Sequence, residues 1–139
     1  TVTVKGKISD SSISAIKTQN YTGKAVSPAP AVTYGGKKLV KNTDYTVSYS
    51  KNTAIGQASV KITGKGLYKG TKTVNFNIRP ATVTKLKVSS TGEKSVKLSW
   101  KKVTGADSYA IYRYDNTSKK WQRIKSSLKF RCMKSLFFR

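Results

Sequence analysis

Histidine does not occur among the 139 residues, cysteine occurs once and proline three times. Without histidine, triads built on an imidazole base lose their proton carrier, and the commonest zinc ligand is gone. The lone Cys132 excludes a disulfide within the chain and any cysteine-rich metal site. Carboxylates are nearly as scarce, with Asp10, Asp44, Glu93, Asp107 and Asp115 making up the five acids. No glycine-rich phosphate loop is present, and no apolar run approaches the length that crosses a bilayer as a helix. These absences remove most enzyme classes: the reading is of a chain with no catalytic, cofactor-binding or metal-ligating residues. Apolar spacing at i, i+3, i+4 and i+7 with caps is also missing, which predicts very little helix.

What the chain has in excess is positive charge, 28 Lys and Arg against 5 acids for a formal +23. The excess is spread. Residues 1–79 hold 13 basic and 2 acidic side chains, residues 80–125 hold 11 and 3, and residues 126–139 hold 4 and none. Arginine stands only at Arg79, Arg113, Arg123, Arg131 and Arg139. Bidentate recognition of phosphates and bases favours clustered arginine, so a specific nucleic-acid reader is not expected. Diffuse charge of this kind is enough for weak attraction to anionic cell-wall polymers or acidic glycans. Lys61, Lys72 and Lys97 alternate with core positions and are expected to point outward, where lysine discourages edge-to-edge pairing.

Period-two alternation organises the rest. Tyr45, Val47 and Tyr49 share one face of a predicted strand, with Thr46 and Ser48 on the other. After an interruption at 52–56, Ala58, Val60 and Ile62 alternate with Ser59, Lys61 and Thr63, and later Val74, Phe76 and Ile78 alternate with Thr73, Asn75 and Asn77. Upstream, Gly35-Gly36 between 31–34 and 37–40 predicts a hairpin turn that needs positive φ. Pro28 and Pro30 bar a central strand from that stretch, and 13–16 is expected to supply an opening edge strand.

Arg79-Pro80 marks the expected boundary between a first module, 1–79, and a second, 80–125. The second opens with Leu86 and Val88, turns at 91–93 and resumes with Val96, Leu98 and Trp100 in alternation. A further turn at 104–107 leads to Tyr109 and Ile111 on one face, with Ala110, Tyr112 and Tyr114 on the other, and then to Trp121 and Ile124. Residues 126–139 change vocabulary, holding Phe130, Phe137, Phe138, Cys132 and the only Met133, and are expected to form an aberrant, disordered basic and apolar tail. Such a break fits a frameshift, a truncation or an unrelated join. The fold class is therefore read as all-β, two tandem immunoglobulin-like β-sandwich modules with the second incomplete.

Two family resemblances sharpen this reading. Tyr21-Thr22-Gly23-Lys24, Val32, Leu39, Asp44-Tyr45, Tyr49, the run Gly64-Lys65-Gly66-Leu67-Tyr68-Lys69-Gly70, Phe76 and Ile78 resemble an Ig-like repeat of the MBG type. Such repeats occur in surface and secreted proteins of Gram-positive gut bacteria, and the likeness covers roughly residues 8–79. Ile55 and Leu67 depart from its pattern. Leu86-Lys87-Val88, Val96 to Trp100, Gly105 to Arg113 and Trp121 to Ile124 look like strands A, B, C and C′ of a fibronectin type III domain. That family carries about three more strands, so half a sandwich would leave an inner sheet face uncovered.

The five acids are assigned to turn chemistry, since all but Asp10 lie at or near predicted turns. Tyr112, Tyr114 and Trp121 are the candidate ligand contacts, an aromatic platform for sugar rings; against that, the fibronectin resemblance implies a core position for Trp121. The chain begins with Thr1 and shows no charged start followed by an apolar block, so it is expected to be a piece of a longer exported protein. The expected role is a non-catalytic spacer or stalk of a secreted or cell-surface bacterial protein, with neighbouring domains as partners, no cofactor and no transmembrane segment. The alternative is an adhesion module that binds glycans, anionic cell-wall polymers or host matrix.

Overall fold

The computed structural model describes residues 3–92, 95–128 and 134–137. The chain is all-β and divides into two compact units, Thr1–Arg79 and Pro80–Arg139. In unit 1 it forms β1 (Gly6–Lys7), one 3-10 turn (Ile8–Asp10), β2 (Ser12–Ile13), β3 (Gln19–Asn20), β4 (Val32–Tyr34), β5 (Lys37–Lys38), β6 (Tyr45–Ser50), β7 (Gly56–Gly64), β8 (Tyr68–Lys69) and β9 (Thr71–Arg79). The long strands β6, β7 and β9 follow the alternation in the sequence. Tyr45, Ala58, Val60, Ile62, Phe76 and Ile78 are buried, while Thr46, Ser48, Lys61, Asn75 and Asn77 between them are exposed.

These strands lie in one sheet of order β3-β9-β7-β6, in which β7 is antiparallel to both β9 and β6, and β3 runs parallel to β9. A second sheet, β2-β4-β5, is antiparallel throughout. Its register sets Tyr34 opposite Lys37, which leaves Gly35-Gly36 as a two-residue turn. Both glycines have positive φ, +53° and +78°, the geometry that matches the twist of the flanking strands and that side chains with a Cβ resist. The short β1 lies parallel to β8.

One core joins the two larger sheets: Val60, Ile62 and Tyr45 pack with Val32, Leu39, Ile8 and Tyr68. A neighbouring cluster holds Ala58, Phe76 and Ile78, with Tyr21 and Val26 half-buried against it. Burying each large aliphatic side chain contributes about 1.5–3 kcal/mol. Burial pushes the Tyr45 phenol above its ordinary value, and the adjacent Asp44 carboxylate adds to the shift. Tyr49 shifts the same way, first through burial and then through Tyr45, and its hydroxyl donates to the Pro28 carbonyl at 2.7 Å.

Lys72 departs from the expected outward role. Its parity along β9 matches Val74, Phe76 and Ile78, it stands opposite Ile62, and it is half-buried. The long aliphatic stem covers apolar surface and the ammonium reaches past it. Lys72 Nζ donates to the Ser9 carbonyl at 3.0 Å and to the Ser11 carbonyl at 2.6 Å, closing the 3-10 turn from below. Ser11, itself buried, returns its hydroxyl to the Ile8 carbonyl at 2.6 Å.

Unit 2 contains β10 (Lys87–Gly92), β11 (Ser95–Ser99), β12 (Tyr109–Asp115), β13 (Lys120–Leu128) and β14 (Lys134–Phe137). They form a sheet of order β10-β11-β14 and a separate β12-β13 hairpin. Val88 stands opposite Leu98 in the β10–β11 register yet is 65% exposed, and Leu86 is 58% exposed. The apolar side of that sheet is therefore not closed over at these positions. Of the tail expected to lack structure, 126–128 extend β13, and β14 pairs antiparallel with β11. An edge strand presents unpaired backbone groups that an extended segment satisfies, whatever its composition. Residues 129–133 and 138–139, with Cys132, Met133, Phe130 and Phe138, lie outside the described residues.

Two substitutions test the inward and outward assignment in unit 1. Ile62→Ala is expected to lower stability by roughly 2–5 kcal/mol in urea unfolding, while its neighbour Lys61→Ala stays within about 0.5 kcal/mol. Comparable losses at both positions would contradict the register. Lys72→Met, which leaves two carbonyls without their donor, is expected to cost about 1–3 kcal/mol; a neutral result would show that the ammonium does not hold the turn.

Candidate functional site

The three candidate aromatics stand on the β12-β13 hairpin. Its turn is built by Asp115, which faces Lys120 in the register and leaves 116–119 as the loop. The carboxylate accepts from the Thr117 backbone N–H at 2.9 Å, the Ser118 hydroxyl at 2.8 Å and the Gln122 side-chain amide at 2.7 Å. Lys119 completes the turn with φ 54°, in the left-handed region. The Ser118 hydroxyl and then the Thr117 N–H favour the ionised form, so the Asp115 carboxyl lies below its ordinary value. This is the turn role expected of the acid.

Antiparallel register fixes which side chains share a face. Tyr112 pairs with Arg123 and Tyr114 with Trp121, so these four project to one side of the hairpin. Tyr112, Tyr114 and Trp121 are 51%, 42% and 68% exposed, and Arg123 is exposed as well. The Tyr114 and Trp121 rings meet edge to face, 5.4 Å between centroids and 65° between planes. Together these two rings form a corner. Trp121 is thus corrected from core to surface. It lies across from Tyr114, one residue out of phase with the half-buried Tyr109 and Ile111 on the opposite face.

The tryptophan that does pack inward is Trp100, edge to face with Tyr109 at 5.2 Å and 63°. The Tyr109 hydroxyl accepts from the Val103 backbone N–H at 2.9 Å, which ties the preceding turn to this pair. Trp100 Nε1 is buried without a hydrogen-bond acceptor among the described residues. Beside it opens an apolar cleft of about 400 Å³ with Leu86, Val88, Leu98, Trp100 and Ile111 in its walls. The register slips twice between Tyr109 and Tyr112, adding twist, and Tyr112 and Trp121 also line this cleft while Tyr114 does not.

Two of the other acids are engaged locally. Asp44 accepts from the Val40 backbone N–H at 2.8 Å while its own N–H donates to the Val40 carbonyl at 2.8 Å. Asp10 accepts from the Ser9 hydroxyl at 2.8 Å. Asp107 is exposed, and Glu93 lies outside the described residues. No group of three or more Cys, Asp or Glu side chains is placed to share a metal ion among the described residues, and no helix there is long and apolar enough to cross a membrane. Arg123 is the member of the aromatic face that sequence reading missed, although it follows Trp121 by two positions along a strand.

Comparison with family models, with curated proteins and with solved structures gives no match to this chain. The two resemblances rest on the residues that carry them.

The depressed Asp115 carboxyl makes the hairpin turn acid-sensitive. A lowered folded-state value contributes stability above the ordinary aspartate range, and that contribution is lost as pH falls through the folded value. The Thr117 amide resonance is expected to titrate with a midpoint below 3.8. A midpoint at or above that value would sink the assignment.

Proposed function

We propose that the chain is a non-catalytic stalk or spacer segment of a secreted or cell-surface bacterial protein, made of two immunoglobulin-like β-sandwich modules of which the second is incomplete. The MBG-type and fibronectin type III resemblances support the modules. So does the division of unit 2, because A with B in one sheet and C with C′ in the other is the arrangement of an immunoglobulin-like sandwich. Three of the five acids hold turns or neighbouring hydroxyls, which suits a scaffold and leaves little for acid–base chemistry.

The single observation that carries the spacer reading is the pairing of the first strands of unit 1 with its last ones. β3 runs parallel to β9, with Gln19 beside Ile78 and Asn20 beside Arg79, and the Tyr21 N–H donates to the Arg79 carbonyl at 2.8 Å. β1 likewise runs parallel to β8, and the Lys5 N–H donates to the Leu67 carbonyl at 2.7 Å. Tension between the two ends of the unit pulls parallel neighbours in opposite directions along their length. Their hydrogen bonds are then loaded together in shear instead of being unzipped one at a time, which is what a stalk under load requires.

A second reading, adhesion to glycans, anionic cell-wall polymers or host matrix, is favoured by the exposed Tyr112, Tyr114 and Trp121 on one face of a strongly basic chain.

Pulling the chain from both ends tests the spacer. Unit 1 is expected to unfold in one step that releases roughly 250 Å of contour, at ~3.3 Å per residue. Tyr21→Pro, which deletes the bonded N–H, lowers the unfolding force relative to Tyr21→Ala, which keeps it. Equal forces in the two variants, or no resolvable step, would overturn the mechanical role of the parallel pair.

A further inference from the structure

We infer that the solvent face of the β12-β13 hairpin is a docking site for an acidic polysaccharide, a polymer of pyranose rings that carry carboxylates. The inference rests on the adhesive reading and goes further by naming the surface and the charge of its ligand. Three large rings share one face of one hairpin, and Trp121, the largest, is also the most exposed, although it and Tyr112 line the apolar cleft as well. Tyr112 and Tyr114 are spaced about 7 Å apart along β12, the two-residue repeat of a strand. The face is held in shape from beneath: Asp115 fixes the turn through Thr117, Ser118 and Gln122, so little ordering is left to be done on binding.

The geometry selects the ring type. The 65° angle between the Tyr114 and Trp121 planes closes the surface on one side. Successive nucleobases stack on open, parallel rings. A pyranose instead has an apolar C–H face to lay on one ring and a rim of hydroxyls to turn toward the opening of a corner. The charge selects the substituent. Arg123, opposite Tyr112 on the same face, offers the planar fork that pairs with a carboxylate. Over residues 109–128 the hairpin carries five cations, Arg113, Lys119, Lys120, Arg123 and Lys125, against the one carboxylate of Asp115, which is already engaged by its turn. That field is complementary to a polyanion and repels a second copy of the chain.

The test is titration of the full chain with polygalacturonate, with a neutral galactomannan, with polyphosphate and with single-stranded oligo(dT), at low and at physiological salt. Binding to polygalacturonate that exceeds binding to the other three is expected. Trp121→Ala should weaken it roughly tenfold and Arg123→Gln several-fold, while Lys41→Gln, an exposed lysine of unit 1 with the same change in charge, leaves it unaltered. Circular dichroism checks that the variants keep their strands; all three positions are exposed. Equal affinity for polyphosphate, or indifference to Trp121→Ala, would reduce the effect to diffuse charge and overturn the site. Galactomannan bound as tightly, and lost on Trp121→Ala, would keep the adhesive reading and refute the acidic ligand. Preference for oligo(dT) would make the face a nucleic-acid surface instead. No binding to either polysaccharide would defeat this inference together with the adhesive reading beneath it.

Discussion

The pairing of β7 on both of its edges is the constraint on which unit 1 depends. β9 runs beside it from Gly56 to Thr63 and β6 from its far end back to Ser59, so its backbone groups are satisfied on either side. That double pairing fixes which side chains face inward, and Ala58, Val60 and Ile62 bring the core with them. A slip of one residue would turn all three to water and bury Ser59 and Lys61 in their place. Gly64 ends the strand where a Cβ would stand 2.7 Å from the Tyr68 carbonyl oxygen, so the backbone can approach that closely only at a residue without a side chain.

Long strands were legible in the sequence because alternation over six or more positions leaves a pattern that side-chain chemistry alone reveals. β6, β7 and β9 are of this kind, and the glycine pair between β4 and β5 is as plain, since positive φ at two successive residues has few other tenants. β1, β3 and β8 are two residues each and carry no period at all. Their partners are remote in the chain, Gly6 with Tyr68 and Gln19 with Ile78, and parallel pairing of that kind is set by the folded whole. β14 escaped for another reason: an unpaired edge accepts backbone and is indifferent to composition.

The aromatic face was half legible. Tyr112 and Tyr114 could be placed together from spacing within one strand, but the side that Trp121 takes depends on cross-strand register, which loop length and bulges decide. The fibronectin resemblance implied an inward Trp121; the ring that packs inward with a tyrosine is Trp100. Charge misled at Lys72 by the same logic, because a cation was assumed to seek water when two carbonyls at the end of a core were within its reach.

That lysine separates itself from its many counterparts in one further respect. An ammonium that donates to two carbonyls beside a core is less open to amine-reactive reagents than one on an exposed strand face such as Lys61. Acylation at Lys72 would therefore lag behind the rest until this end of unit 1 opens. One side chain in a field of near-identical ones thus works as a built-in gauge of whether the first module is intact.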